Sequence, residues 1–164
     1  MIQEKEPARR ALVATLRRYE LRDTPQIVDI VAREVPLLPN YKGISVHRER
    51  VEFLLLNNQR NSVYHCNVLV DGSEVVGLVV AYCSPTIFSF DTIAIDNFLW
   101  IAQAYRSLRS VGELIRGYKE WAHARGAVIT AASFTGGIKP ELMDMLLRRH
   151  GFTRIGALYH LRAV

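Results

Sequence analysis

Apolar and polar positions change period several times along the chain, and each change marks an element. "PARRALVATLRR" has helical spacing, with Pro7 suited to a first turn and no breaker behind it. "YELRD" then predicts a short strand. In "DTPQIVDIVAREVPLLP" Asp23 or Thr24 can cap a helix and Pro25 suits its first position. Ile27, Val28, Val31 and Val35 share one face before Pro36 stops it. Residues 45–56 carry Val46, Val51, Leu54 and Leu55 between charges and predict a second helix, ended by "NNQRN". From Val63 the chain turns β-branched and aromatic, and "VLVDGSEVVGLVVAY" predicts a hairpin about Asp71 and Gly72.

"TIAIDNFLWIAQ" is apolar on both faces, as a central strand covered by helices has to be. Beyond it Val111, Leu114, Ile115, Tyr118 and Ala122 recur at helical spacing, and Gly126 stands where a C-terminal cap belongs. "AVITAAS" predicts a short buried strand, "FTGG" a loop, and "KPELMDMLLRRHG" a helix begun by Pro140 and stopped by Gly151. "FTRIG" and "ALYHLRAV" predict a final pair of strands. Together these give a mixed α/β or α+β domain around one sheet.

With 164 residues, 49% hydrophobic and 23% charged, the chain has the size and composition of one globular domain. Its apolar runs are too short to span a bilayer, and "MIQEKEPARR" places charges where a secretory leader needs apolar residues. A cytoplasmic protein is the expectation. If the strands holding Cys66 and Cys83 pair about "DGSE", Cys66 falls opposite Val79, so no disulfide is expected. The cysteines and histidines show no metal-ligand spacing, and no metal is assigned. A net charge of +5 and a pI near 9.5 favour an acidic partner: nucleic acid, a phosphorylated cofactor or an acidic protein surface. Arg9, Arg10, Arg17 and Arg18 form the one local basic group, which also fits a solvated helix face.

The stretch "QAYRSLRSVGELI" joins the central strand to the next helix and has two readings. A helix N-terminus presents free amides at the positive end of the helix dipole, so Leu108, Arg109, Ser110, Val111 and Gly112 can cradle a phosphate. Arg106 and Arg109, mildly unfavourable there without an anion between them, sharpen that reading. Alternatively Ser110 and Glu113 form a capping box, each side chain satisfying the other's amide.

The succession of two helices, the hairpin, the strand "FLWIAQAYR", the turn, "VGELIRGYKEWAHARGA", a strand, a helix and "RRHGF" resembles the GNAT acetyltransferase superfamily, closest to small phage-encoded members. The resemblance runs from about Tyr19 to the C-terminus, leaving residues 1–18 as a helical extension before one domain, 19–164. It implies a mixed central sheet with a splayed strand pair, acetyl-coenzyme A as cofactor, and an amine acceptor that is a protein, a small molecule or a nucleic acid. Pantetheine would then lie along Trp100 and Ile101 and against Ser133, with "FTGG" at the mouth, and pyrophosphate would sit on the turn opened by Arg106. The family's turn glycines are mostly replaced, by Ser107, Leu108 and Ser110; only Gly112 remains. Leu147 stands where many members carry the tyrosine that protonates the thiolate.

For deprotonating the amine the candidate is Asp96, a carboxylate inside an apolar strand, which also suits a bulge or strand-end aspartate beside Asn97. Tyr159 is the remaining tyrosine able to approach a thiolate, or a half-buried sheet residue. Cys83 has no base near it in sequence, so attack without an acyl-enzyme is expected. Three functions follow: an acetyl-coenzyme A-dependent N-acyltransferase; a binding or structural protein, phage-derived, that has lost catalysis on the same fold; and a nucleic-acid-directed binder or modifier. Between monomer and homodimer the sequence does not choose.

Overall fold

A computed structural model describes residues 14–38, 41–60, 63–133 and 140–156. One five-stranded sheet runs through it in the order β1 (Thr15–Arg18), β2 (Tyr64–Asp71), β3 (Glu74–Pro85), β4 (Thr92–Ile101), β5 (Ile129–Ala131). All neighbours are antiparallel except β4 and β5, which are parallel. Helices α1 (Thr24–Glu34) and α2 (Arg48–Arg60) cover one face; α3 (Leu108–Ala124) and α4 (Pro140–Arg149) cover the other. The mixed α/β architecture with a helix-flanked mixed sheet is the one expected.

The β2–β3 hairpin turns at Gly72, whose φ of +59° is open to glycine without strain. Its register holds one irregularity. Leu69 pairs with Gly77 but Val70 with Val75, so Val76 is an extra residue and Cys66 lies opposite Val80, one place beyond Val79. Both cysteines are free and buried. Gln26 of α1 ties the hairpin tip down, accepting from Val75 N and donating to Ser73 O, each at 2.9 Å.

Several expectations need correction. Thr15–Arg18, at the end of the expected first helix, is a strand, because the open edge of β2 offers it a ladder. Tyr19 extends that ladder by one bond to Cys66 O, and Leu21–Asp23 then forms a 3-10 turn rather than a strand. Asp23 is almost wholly buried and grips Arg17 in a two-pronged ion pair, at 2.7 and 2.8 Å, instead of capping α1. Burial by itself raises its pKa, but the Arg17 bonds and the Glu20 amide outweigh this and hold the carboxyl below its ordinary range. The second helix starts and ends later than predicted, with the "NNQR" residues inside it. Residues 152–156 form no strand, and β5 is only three residues long. The segments "FTGG" and "ALYHLRAV", and the earlier part of the first predicted helix, lie outside the described residues.

Helix α3 sets the position of everything that follows. Val111, Leu114, Ile115, Tyr118 and Ala122 bury its apolar stripe against Leu69, Val79, Ala81 and Leu99 of the sheet. Each fully buried aliphatic side chain is worth about 1.5–3 kcal/mol. Gly117 lets the helix approach: a Cβ there would stand 2.4 Å from Asn67 Nδ2. Beside it His65 stacks on Trp121, with ring centroids 4.8 Å apart. Burial, with a smaller push from Arg18, lowers its pKa to about 4. Gly126 ends α3 with φ +70°, as a left-handed cap should.

Gly117→Ala is expected to destabilise the fold by about 1–3 kcal/mol through overpacking, despite alanine's better helix propensity. Urea unfolding should show the loss, and adding Asn67→Ala should restore much of it.

Candidate functional site

Ile93, Ala94 and Ile95 of β4 pair with Ile129, Thr130 and Ala131 of β5, and there the pairing stops while β4 runs on to Ile101. Among the described residues no strand lies along the outer edge of residues 97–101. Ala102 N–H donates to Val76 O at 2.8 Å, so by antiparallel alternation Trp100 and Phe98 turn their main-chain groups toward β3. Those of Leu99 and Ile101 face outward. Phe98 pairs with Val80 and Asp96 with Ala81, which makes Asn97 the extra residue of a bulge at the point where the strands part.

Two side chains finish the fork. Asp96 lies on the α3 face, 5% exposed, and its Oδ1 accepts from Ser133 N–H at 2.6 Å and from the Ser133 hydroxyl at 3.3 Å. Tyr118, wholly buried on α3, donates its hydroxyl to Ala131 O at 2.6 Å. Asp96 has no ion-pair partner among the described residues. Burial lifts its pKa to about 6, with the Ser133 bonds pulling the other way.

At the far end of the open edge a 3-10 turn, Gln103–Tyr105, leads into α3. Tyr105 pins that turn to the hairpin through Asp71 Oδ2, 2.6 Å away, and Arg106 Nε donates to Ile101 O at 3.0 Å. The capping box expected from Ser110 and Glu113 does not form. Ser107 is the N-cap, its Oγ accepting from Ser110 N–H at 3.0 Å, and Glu113 turns outward to pair with Arg116. The helix therefore begins earlier than the box implied, and this changes which amides are open. Val111 N–H is spent on Ser107 O and Gly112 lies inside the helix, whereas Leu108 and Arg109 precede the first intrahelical bonds. No acidic side chain occupies the first turn. Gly112 has a packing reason instead: a Cβ there would stand 3.2 Å from His150 Nε2 at the end of α4.

The fold thus gathers Asp96, Ser133, Ile101, Arg106, Leu108, Arg109 and Ser110 along one edge of β4 and the helix start beyond it. Trp100, expected along the arm, turns its main chain toward β3 and buries its ring on the α1 face, with the Arg33 guanidinium 6.0 Å away, so it gives the outer edge neither. Tyr159 lies outside the described residues. Leu147 packs against the α3-side core. Sequence reasoning missed Tyr118, whose hydroxyl hid in an apolar stripe, and Ser107, signalled only by its spacing from Ser110. It also missed Tyr41, whose hydroxyl donates to Asn97 O at 3.5 Å.

The chain has the fold of the GNAT acetyltransferases. Glucosamine-6-phosphate N-acetyltransferase from Arabidopsis thaliana superposes with a TM-score of 0.70 at 7% identity, over 92% of this chain and 98% of that one. An aminoglycoside acetyltransferase from an uncultured soil metagenomic sample does so at 0.65 and 18% identity, over 93% and 99%. A transcriptional regulator from Bacillus halodurans C-125 matches as well, at 0.65 and 18%, over 91% and 100%. No family model matches the sequence, and no curated protein matches it. At these identities the likeness establishes a fold, and function has to come from the site.

The buried Asp96 fixes a sign for stability against pH. The folded state holds its proton up to about 6, while an unfolded aspartate releases it near 3.9, so this residue's contribution to stability falls as pH rises between those values. Asp96→Asn should therefore raise Tm by several degrees at about pH 7.5 and change it little near pH 4. His65 acts in the opposite sense, costing stability as pH falls below about 6.5. Melting wild type and variant side by side at each pH cancels that contribution.

Proposed function

We propose that the chain is an acetyl-coenzyme A-dependent N-acyltransferase that moves an acetyl group to a primary amine. The outer edge of β4, which runs directly into the N-terminus of α3, carries this reading. The outward-facing groups of Leu99 and the outward N–H of Ile101, whose carbonyl Arg106 takes, suit an extended arm containing amides, in the manner of an added strand. The open amides of Leu108 and Arg109, with arginine itself at 109 and no carboxylate in the first turn, suit a diphosphate. The residues present therefore fit coenzyme A in both of its chemically distinct parts.

Acetyl-coenzyme A, when bound, supplies an acetyl group already activated as a thioester. The chain's own residues bind, orient and exclude. Arg106 fixes the end of β4 through Ile101 O, and Tyr105 holds the turn to the hairpin, so edge and helix start keep one relative position. Tyr41 reaches the Asn97 carbonyl from the connection between α1 and α2. Cys83 is buried, and burial pushes its thiol up despite the opposing charge of Arg125. It is no candidate nucleophile, which supports direct attack by the amine.

One observation favours a second reading, a binding or regulatory protein on this fold. Leu147, half-buried against the core, stands where many GNAT enzymes carry their thiolate acid, so that position of α4 provides none. Such a protein would bind the cofactor without turnover.

Isothermal titration with coenzyme A should give a dissociation constant in the micromolar range. Arg109→Glu is expected to weaken binding at least tenfold, while Glu113→Gln, removed from the turn by Arg116, should leave it within about twofold. Ligand at a hundredfold excess over Kd should add about 2.7 kcal/mol to stability. No heat and no rise in Tm at millimolar cofactor would contradict the proposal; binding without acetyl transfer to a panel of amines would favour the second reading.

A further inference from the structure

We infer that Asp96 is a positioning residue, which with Tyr118 holds the β4–β5 fork open for the cofactor arm, rather than the base that deprotonates the amine. The inference rests on the reading of the fork as a coenzyme A site.

Two parallel strands that part leave main-chain groups without their ladder partners, and those groups need other partners. In an uninterrupted ladder Ser133 N–H would donate to a main-chain carbonyl of β4, two residues after the last pair at Ala131. Here it donates to the Asp96 side chain, at 2.6 Å. The carbonyl of Ala131 in turn takes the Tyr118 hydroxyl, also at 2.6 Å. One side chain from β4 and one from α3 thus satisfy the end of β5 without closing it onto β4. The Asn97 bulge, beginning at the next residue of β4, bends the continuing strand at the same level.

Asp96 is poorly placed for the base's role. Its Oδ1 already accepts both the amide and the hydroxyl of Ser133, and its side chain lies on the α3 face between Ala81 and Ala94, which belong to the core beneath that helix. Asp96 is committed to the end of β5, whereas the next residue, Asn97, turns its carbonyl to Tyr41 on the outer side of the fork. Without the carboxylate nothing holds Ser133 N–H off the β4 main chain, and β5 can zip further along the edge that the arm needs.

Titration of coenzyme A into Asp96→Ala, Asp96→Asn and Tyr118→Phe tests this, with circular dichroism confirming that each is folded. The alanine variant should lose at least tenfold in affinity, and asparagine, which keeps an acceptor for Ser133, should recover most of that loss. Tyr118→Phe should lose at least threefold. With acetyl-coenzyme A and an accepted amine, Asp96→Asn should lower kcat by less than tenfold. Unchanged affinity in Asp96→Ala would overturn the inference, and so would a hundredfold fall in kcat of Asp96→Asn at unchanged Kd, the signature of a base. If wild type binds no coenzyme A, it is the acyltransferase reading that fails. The hold of Asp96 on β5 is then read from Ser133 amide exchange in the free protein: slow in wild type and fast in Asp96→Ala supports it, and equal rates overturn it.

Discussion

The hydrogen bond from Ser133 N–H to Asp96 Oδ1 ends β5 while β4 continues, and the open edge exists because of that difference in length. Where β5, the last strand of the described sheet, leaves β4, its main-chain groups lose their rungs and need other partners. Here a side chain stands in for the missing rung. Burying an aspartate without a cation is unfavourable, as the rise of its pKa to about 6 records, and that cost is the counterpart of an edge kept free of another strand.

Helix α3 connects this fork to the turn at the other end of the edge. Its N-terminus is fixed by Ser107 and by the Arg106 bond to Ile101 O; its middle is fixed by the approach of Gly117 to Asn67 and by the Tyr118 hydroxyl at Ala131. A shift of α3 along the sheet would therefore move both the open amides of Leu108 and Arg109 and the support beneath β5. The two halves of the proposed cofactor site are consequently one mechanical unit, and the packing of Leu114, Ile115 and Tyr118 against the sheet is part of the site.

Much of this was legible in the sequence where period and punctuation agree. The hairpin about Gly72, the long apolar β4 and the amphipathic α3 each carry enough residues for their period to be unambiguous. β1 was not legible, since its helical spacing is overridden by a partner strand far along the chain. The cap was ambiguous for a local reason: Ser107 and Ser110 both precede a candidate partner by three residues, and the bonds that decide between them, from Arg106 to Ile101 and from Ala102 to Val76, are tertiary. Asp96 stood out as a carboxylate in an apolar strand, but Ser133, its partner, is 37 residues away and Tyr118 looked like ordinary core. The acceptor's chemistry left no pattern to read.

In the proposed site the outward-facing main chain of β4 receives the cofactor arm. Amide hydrogen exchange of Leu99 and Ile101, measured with and without saturating coenzyme A, reports on that edge directly. Exchange at both residues should slow at least tenfold on binding, together with that of Leu108 and Arg109 at the helix start. Saturation that protects the helix start but leaves Leu99 and Ile101 unchanged would contradict an arm laid along β4.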